Sequence, residues 1–203
     1  MGTRRLVFAS NNEGKVREVA DLIPASGIEL LPQSYYCVPQ AQETAATFVE
    51  NALIKARNAC LHTSLPAIAD DSGLEVDALD GEPGVRSARY AGDAADDHSN
   101  NQRLLDEMLD LAPEQRRASF QCVMVALRHP DDPTPLICQG SWEGVIVESP
   151  RGGQGFGYDP LFLVPGLGLT AAELDRATKG RLSHRGQALR ALLERLPGFL
   201  ARR

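Results

Sequence analysis

At 203 residues the chain is long enough for one domain of ordinary size with a substantial core, and 43% hydrophobic with 24% charged residues excludes the disordered and fibrous classes. A formal net charge of −6 argues against a duplex-binding surface, which needs many phosphates neutralised by Lys and Arg, but leaves open a small anion held by a few local cations. Nothing near Met1 has the long apolar stretch of a signal sequence, and no run approaches the ~18 apolar residues of a membrane span. The expectation is a soluble, cytoplasmic protein that binds neither membrane nor nucleic acid.

Leu6 to Ala9 is a short apolar run, followed by polar residues and then by Val16, Val19, Ala20 and Ile23 at helical spacing, which predicts strand, loop and helix. Thr47 and Glu50 match a capping box, opening a helix with Phe48, Ala52, Ala56 and Ala59 on one face. Pro66 to Ala69 predicts a buried strand that ends at Asp70, with Ser72 and Gly73 turning the chain. Gly81 to Gly92 is rich in turn formers, and Gln102 to Leu111 predicts a helix through Leu104, Leu105 and Met108. Phe120 to Leu127 is apolar on both faces apart from Gln121, as in a central strand. A turn over His129 to Pro135 and a return from Leu136 to Ile146, interrupted at Gly140 and Gly144, complete a long hairpin. After a glycine-rich loop from Arg151 to Phe162, Ser183 caps a last helix carrying Leu189, Leu192, Leu193 and Leu196.

Strands and helices alternate at first while the middle reads as antiparallel, so the fold class is α/β with a mixed β-sheet. No linker is long enough to separate independent domains, so residues 1–203 are expected to form one domain. Cys37, Cys60, Cys122 and Cys138 include no C-x-x-C pair and read as reduced core thiols.

Ser10, Asn11, Asn12, Glu13, Gly14 and Lys15 lie between a strand and a helix start, where free amides and the helix dipole favour an anion and Lys15 adds a charge. A Ser10–Glu13 capping box accounts for the same residues equally well. The segment is not a P-loop, since Ala9 and Val16 stand where that motif needs glycine and Ser or Thr. Asp70 and Asp71 follow a buried strand, the usual position of ligand groups in α/β sheets, and adjacent strand residues point to opposite faces. One of them therefore faces a given site, and with the anion-type loop elsewhere the pair favours Mg²⁺, which takes one or two carboxylates plus phosphate oxygens. Glu50 is accounted for by its cap, whereas Glu43 has no such role and is a candidate ligand. Lys55, off the apolar stripe of its helix, is by default solvated. Phe156 to Phe162 combines rings, a flexible backbone and one carboxylate, which suits stacking on a flat base or an ordinary turn with core aromatics. His184 and Arg185 at the start of the last helix are compatible with a surface position, and an isolated His-Arg pair is only a weak signal of a site.

In this order the segments Ser10–Lys15, Thr47–Ala52, Ala69–Leu74, Gly84–Tyr90, Phe156–Pro160 and Ser183–Arg185 resemble the inosine triphosphatase or Ham1-like family of purine nucleoside triphosphate pyrophosphatases, and they span nearly the whole chain. The resemblance implies helices flanking the sheet, two lobes with the active cleft between them, a homodimer, and Mg²⁺-dependent hydrolysis of ITP, dITP and XTP to monophosphate and pyrophosphate. By the same resemblance Ser10, Asn11, Asn12, Glu13, Gly14, Lys15 and Lys55 hold the phosphates of the purine nucleoside triphosphate, and Glu43 and Asp71 bind metal. The resemblance further implies that Asp71 is the proton acceptor, that Ser72 contacts substrate, and that Phe156, Gly157, Tyr158, Asp159, Lys179, His184 and Arg185 enclose base and sugar. One departure is Ala45, where the family often has glycine; alanine restricts φ there.

A solvated Asp has a pKa of about 3.9, too low for a strong base at neutral pH, so Asp71 is expected to work mainly by holding metal and orienting water. Inosine and xanthine carry a keto oxygen at C6 to which Arg185 or backbone amides can donate, and adenine does not. Competing readings are a pyrophosphatase for modified pyrimidine or methylated nucleotides and a nucleotide-binding sensor without turnover.

Overall fold

Alternation along the first strands decides how the chain layers. In the computed structural model, which describes residues 4–22 and 28–201, the elements run β1 (Arg4–Phe8), α1 (Glu13–Leu22), β2 (Ile28–Pro32), α2 (Phe48–Thr63), β3 (Ala67–Val76), α3 (Asp97–Glu107), β4 (Arg117–Leu127), β5 (Leu136–Ile146), β6 (Phe162–Val164), β7 (Leu169–Thr170), α4 (Arg176–Leu182) and α5 (His184–Ala201). The strands form one sheet in the order β2-β1-β3-β4-β5-β6-β7. β1 is parallel to β2 and β3, whereas β6 is antiparallel to β5 and β7, so the sheet is mixed as the sequence predicts. The chain leaves β1 through α1 to β2 on one side and returns through α2 to β3 on the other. Ligands of open α/β sheets bind beyond the carboxyl ends of strands at such a reversal of order.

Packing divides the chain into two compact units, one of Met1–Asp71, Cys122–Gly140 and Arg185–Arg203 and the other of Ser72–Gln121 and Ser141–His184. In the first, Leu6, Phe8, Ile68, Cys122, Met124 and Ala126 pack on Val19 of α1 and on Ala188, Leu189, Leu192 and Leu196 of α5. The alternate residues Val7, Ala9, Ala67, Ala69, Val123, Val125 and Leu127 pack on Ala52, Ala56, Ala59 and Cys60 of α2. Helices thus cover both sides of these strands, and each strand position is assigned by parity to α1 and α5 or to α2. The second unit has its own core, in which Leu74, Val76, Phe120, Trp142, Tyr158 and Phe162 meet Leu104 and Met108.

Several expectations are corrected. β3 does not end at Asp70 but runs to Val76, so Ser72 and Gly73 lie inside a strand; burial of both its faces outweighs the turn-like composition. β5 is continuous through Gly140 and Gly144, and a Cβ on Gly144 would lie 2.4 Å from Cζ of Phe162, so glycine there admits the ring. α3 begins five residues before the predicted start, set by an Asp96–Ser99 capping box. Ala20 is exposed, the predicted Ile23 lies outside the described residues, and Cys37 is exposed while the other three cysteines are buried. Burial pushes the Cys60 thiol up to about 11 and the Cys122 thiol up to about 12, as suits reduced core thiols.

The turn between β4 and β5 hangs on one carboxylate. Asp132, with a fully buried side chain, accepts hydrogen bonds from the Arg128 amide (3.0 Å), Nε (2.8 Å) and Nη2 (2.6 Å), and from the Thr134 amide (3.0 Å). Asp132→Ala strands these donors, so unfolding experiments should find a loss of about 3 kcal/mol. Hydrogen bonding from Arg128 holds this carboxyl well below the usual carboxylate range. Its contribution is therefore complete above a pH of about 4 and fades on acidification below it, so wild type and variant should converge in acid.

Candidate active site

Beyond β1 the backbone turns into α1 through Asn12. Its Oδ1 accepts the Lys15 amide (3.0 Å), its carbonyl accepts the Val16 amide (3.0 Å), and Ser10 Oγ accepts the Asn12 amide (3.2 Å). The helix starts at Glu13, so Asn12 is the N-cap and the Ser10–Glu13 capping box is not the arrangement adopted. Asn11, Asn12 and Glu13 are exposed, which leaves this helix start open to an anion.

Asp70 and Asp71 divide by parity as the strand periodicity requires. Asp70 shares its face with Ile68, and its Oδ2 lies 3.0 Å from Lys15 Nζ on α1 and 3.4 Å from Arg185 Nε on α5. Arg185 also pairs with Glu18 on α1. Burial by itself would raise the Asp70 carboxyl, but Lys15 and Arg185 hold it well below the ordinary range. Asp71 shares its face with Ala67 and Ala69, and its Oδ1 accepts a 2.8 Å hydrogen bond from Lys55 Nζ on α2. The same ammonium donates to Glu43 Oε2 at 2.9 Å. Lys55 is thus no solvated lysine: its side chain is 12% exposed and bridges two carboxylates. Burial raises the Asp71 carboxyl in spite of Lys55, while in the more exposed Glu43 the pull of Lys55 outweighs burial and lowers it.

Glu43 lies on an irregular segment that Asn51 fixes. Asn51, fully buried on α2, accepts from the Ala45 amide (3.0 Å) and donates to the Ala45 carbonyl (3.3 Å). Non-glycine residues with positive φ among the described residues are Cys37, Ser64 and Asp80, so alanine at 45 carries no such strain. Thr47 caps α2 through the Glu50 amide (3.3 Å) and donates its hydroxyl to the Glu50 carboxylate (2.6 Å).

The second unit holds the remaining candidates. Asp159, 3% exposed, accepts from the Phe156 amide (2.8 Å) and from Lys179 Nζ (2.6 Å), and that ammonium stands 5.0 Å from the centre of the Phe156 ring. A Cβ on Gly155, whose φ is +80°, would meet Asp159 Oδ2 at 2.0 Å, so the loop needs glycine beside the ion pair. Gly157 donates its amide to Asp97 (2.7 Å) and accepts at its carbonyl from Asn101 (2.9 Å), two α3 residues that sequence reasoning missed although they stand four apart just past a helix cap. Tyr158 is a core ring whose hydroxyl donates to the Ser87 carbonyl (2.9 Å) rather than an open stacking surface. His184 and Arg185, for which the bare sequence leaves a surface position open, are 5% and 3% exposed. The His184 ring stacks on Phe120 at 4.8 Å and 13°. Ser183 closes α4 and immediately precedes α5, and Ser72 is half-buried within β3.

Fold and residues define a class: an α/β protein with a mixed sheet, an exposed helix start beyond a strand, and paired carboxylates bridged by lysine. The Ham1 family model matches residues 6–195. A dITP/XTP pyrophosphatase of Thioalkalivibrio sulfidiphilus is 58% identical over 194 residues, covering 96% of this chain and 99% of that protein. The dITP/XTP pyrophosphatase of Escherichia coli K12 is 55% identical, covering 95% and 98%. Among solved structures, a HAM1 protein from Coxiella burnetii superimposes with a TM-score of 0.90 at 48% identity, covering 96% of this chain and 99% of that one. The chain belongs to the Ham1 family. No helix of the described residues is long and apolar enough to cross a membrane.

Proposed function

We propose that this chain is a hydrolase that converts non-standard purine nucleoside triphosphates, dITP, ITP and XTP, to the monophosphate and pyrophosphate, the whole chain acting as one catalytic domain. The observation that carries the reading is the buried Asp71 carboxylate. Its Oδ1 is held by Lys55, which also holds Glu43, while its Oδ2 has no hydrogen-bond partner among the described residues. A buried acceptor without a donor is costly unless a ligand completes it.

A hard divalent cation fits this donor set. Among the described residues no cluster of three or more His, Cys, Asp or Glu forms a closed metal cage, and Mg²⁺ characteristically takes one or two carboxylates and fills its remaining positions with water and phosphate oxygens. Glu43 and Asp71 would hold the ion. When bound, it neutralises charge that develops on the phosphates.

The chain's own groups supply the rest. The Asn12-capped start of α1, with Ser10, Asn11, Glu13 and Gly14, offers amides to the triphosphate, and Lys15 and Lys55 offer charge. Asp71 orients the attacking water, and burial makes its carboxylate a better proton acceptor than a solvated aspartate. Ser72 contacts the substrate. Phe156, Gly157, Tyr158, Asp159, Lys179 and His184 enclose base and sugar: the Lys179 ammonium, which lies over the face of the Phe156 ring, is a donor that rewards a keto oxygen over an amino group. Arg185, expected to read the base directly, joins this set through a guanidinium already engaged by Glu18 and Asp70. We further propose a homodimer working in the cytoplasm.

The test is kcat/KM for dITP, ITP, XTP, GTP, ATP and modified pyrimidine triphosphates with Mg²⁺, reading pyrophosphate release. Preference for the first three by at least about a hundredfold over ATP is expected, since a mismatched base strands buried donors. A preference for modified pyrimidines, or binding without turnover, would replace this reading by one of its competitors.

A further inference from the structure

We propose that Glu18 is a positioning residue for Lys15, acting through Arg185 and Asp70. Lys15 and Glu18 stand one turn apart on α1, and the two other members come from β3 and α5. The Asp70 side chain is fully buried and Arg185 is 3% exposed, so neither charge is tolerable without its partners. A single oxygen, Asp70 Oδ2, serves both cations, at 3.0 Å from Lys15 Nζ and 3.4 Å from Arg185 Nε. The other engagement of Arg185 on α1 is with Glu18. Two acids and two bases thus meet.

The geometry makes Glu18 the element that divides the two claims on Asp70. With Glu18 present, Arg185 is satisfied on one arm and leaves Asp70 nearer to Lys15. Without that carboxylate, the arginine draws more strongly on the shared oxygen, and Lys15 loses the fixed anchor that sets its direction. An ammonium has three donors, so one bond to Asp70 orients Lys15 without exhausting it, and the others can meet a polyphosphate. The parity of β3 keeps this arrangement apart from Asp71: position 70 serves the anion-holding lysine, position 71 the β3 carboxylate proposed for metal. The inference rests on the reading that Lys15 contacts the triphosphate.

The experiment is a double-mutant cycle of Glu18→Gln and Lys15→Met in the full chain, read as kcat and KM for dITP with Mg²⁺, and as calorimetric binding of inorganic tripolyphosphate. Glu18→Gln should raise KM about tenfold with a smaller change in kcat and weaken tripolyphosphate binding by a similar factor, with Glu18→Asp restoring most of both. In the Lys15→Met background the same substitution should change KM and binding less than twofold, although any effect on melting temperature persists. If Glu18→Gln leaves KM and binding unchanged, or if its factor multiplies undiminished with that of Lys15→Met, Glu18 has only a structural role and the proposal fails. Should Glu18→Gln not fold, Arg185→Lys, which keeps the charge but not the planar two-armed contact, replaces it in the same cycle, read by tripolyphosphate binding alone, which no contact to the base can alter, with the same expected binding outcomes. Wild-type protein that neither turns over dITP nor binds tripolyphosphate would instead overturn the function proposed above.

Discussion

Asp71→Asn should fold with a melting temperature within a few degrees of wild type and lose about a thousandfold in Mg²⁺-dependent turnover. The two halves of this expectation have different causes. Stability is nearly conserved because the substitution removes a carboxylate that burial already disfavours, while Lys55 keeps Glu43 as a partner. Activity falls because an amide neither holds a divalent cation well nor accepts a proton from water. A thousandfold corresponds to about 4 kcal/mol of transition-state stabilisation, the scale on which a bound metal and an oriented water act. Steady-state kinetics beside a thermal melt checks both; wild-type turnover would remove Asp71 from the chemistry, and a collapsed melt would make it structural.

Lys55→Met should cost about 3 kcal/mol of stability without divalent ions. Its ammonium bridges Asp71 and Glu43 at 2.8 and 2.9 Å, and its removal leaves two acids together in a mostly buried position. For a chain of this length the melting temperature should drop by roughly 6 to 12 °C. Millimolar Mg²⁺ should restore more of the melting temperature in the variant than it adds to wild type, because the ion supplies the charge the lysine no longer provides and binds the folded state. Equal shifts in the two proteins would mean that the ion does not reach these carboxylates.

How far the sequence discloses this site depends on the range of each signal. Period-two alternation is local, so the strands around Leu6 and Ile68 and the opposite facing of Asp70 and Asp71 are legible directly. The continuation of β3 is not, because Asp70-Asp71-Ser72-Gly73 has turn composition and is held extended inside the protein by cations that arrive from three different helices. Lys55 reads as solvated because its partners lie 12 and 16 residues away in the chain. His184 reads as exposed because Phe120, the ring beneath it, belongs to a distant strand. Glu18 is illegible for a related reason: a lone acid on an amphipathic helix carries no mark of a buried arginine 167 residues further on. The Asp96–Ser99 cap was available to sequence reasoning, but the leucine spacing drew the helix start downstream.

The most direct test of the division between the two aspartates is Mn²⁺ binding, followed by electron paramagnetic resonance, to wild type, Asp71→Asn and Asp70→Asn without nucleotide. The account predicts that Asp71→Asn weakens binding at least about tenfold, while Asp70→Asn binds Mn²⁺ within about twofold of wild type and is impaired only in tripolyphosphate binding. Loss of Mn²⁺ binding in Asp70→Asn with retention in Asp71→Asn would contradict it.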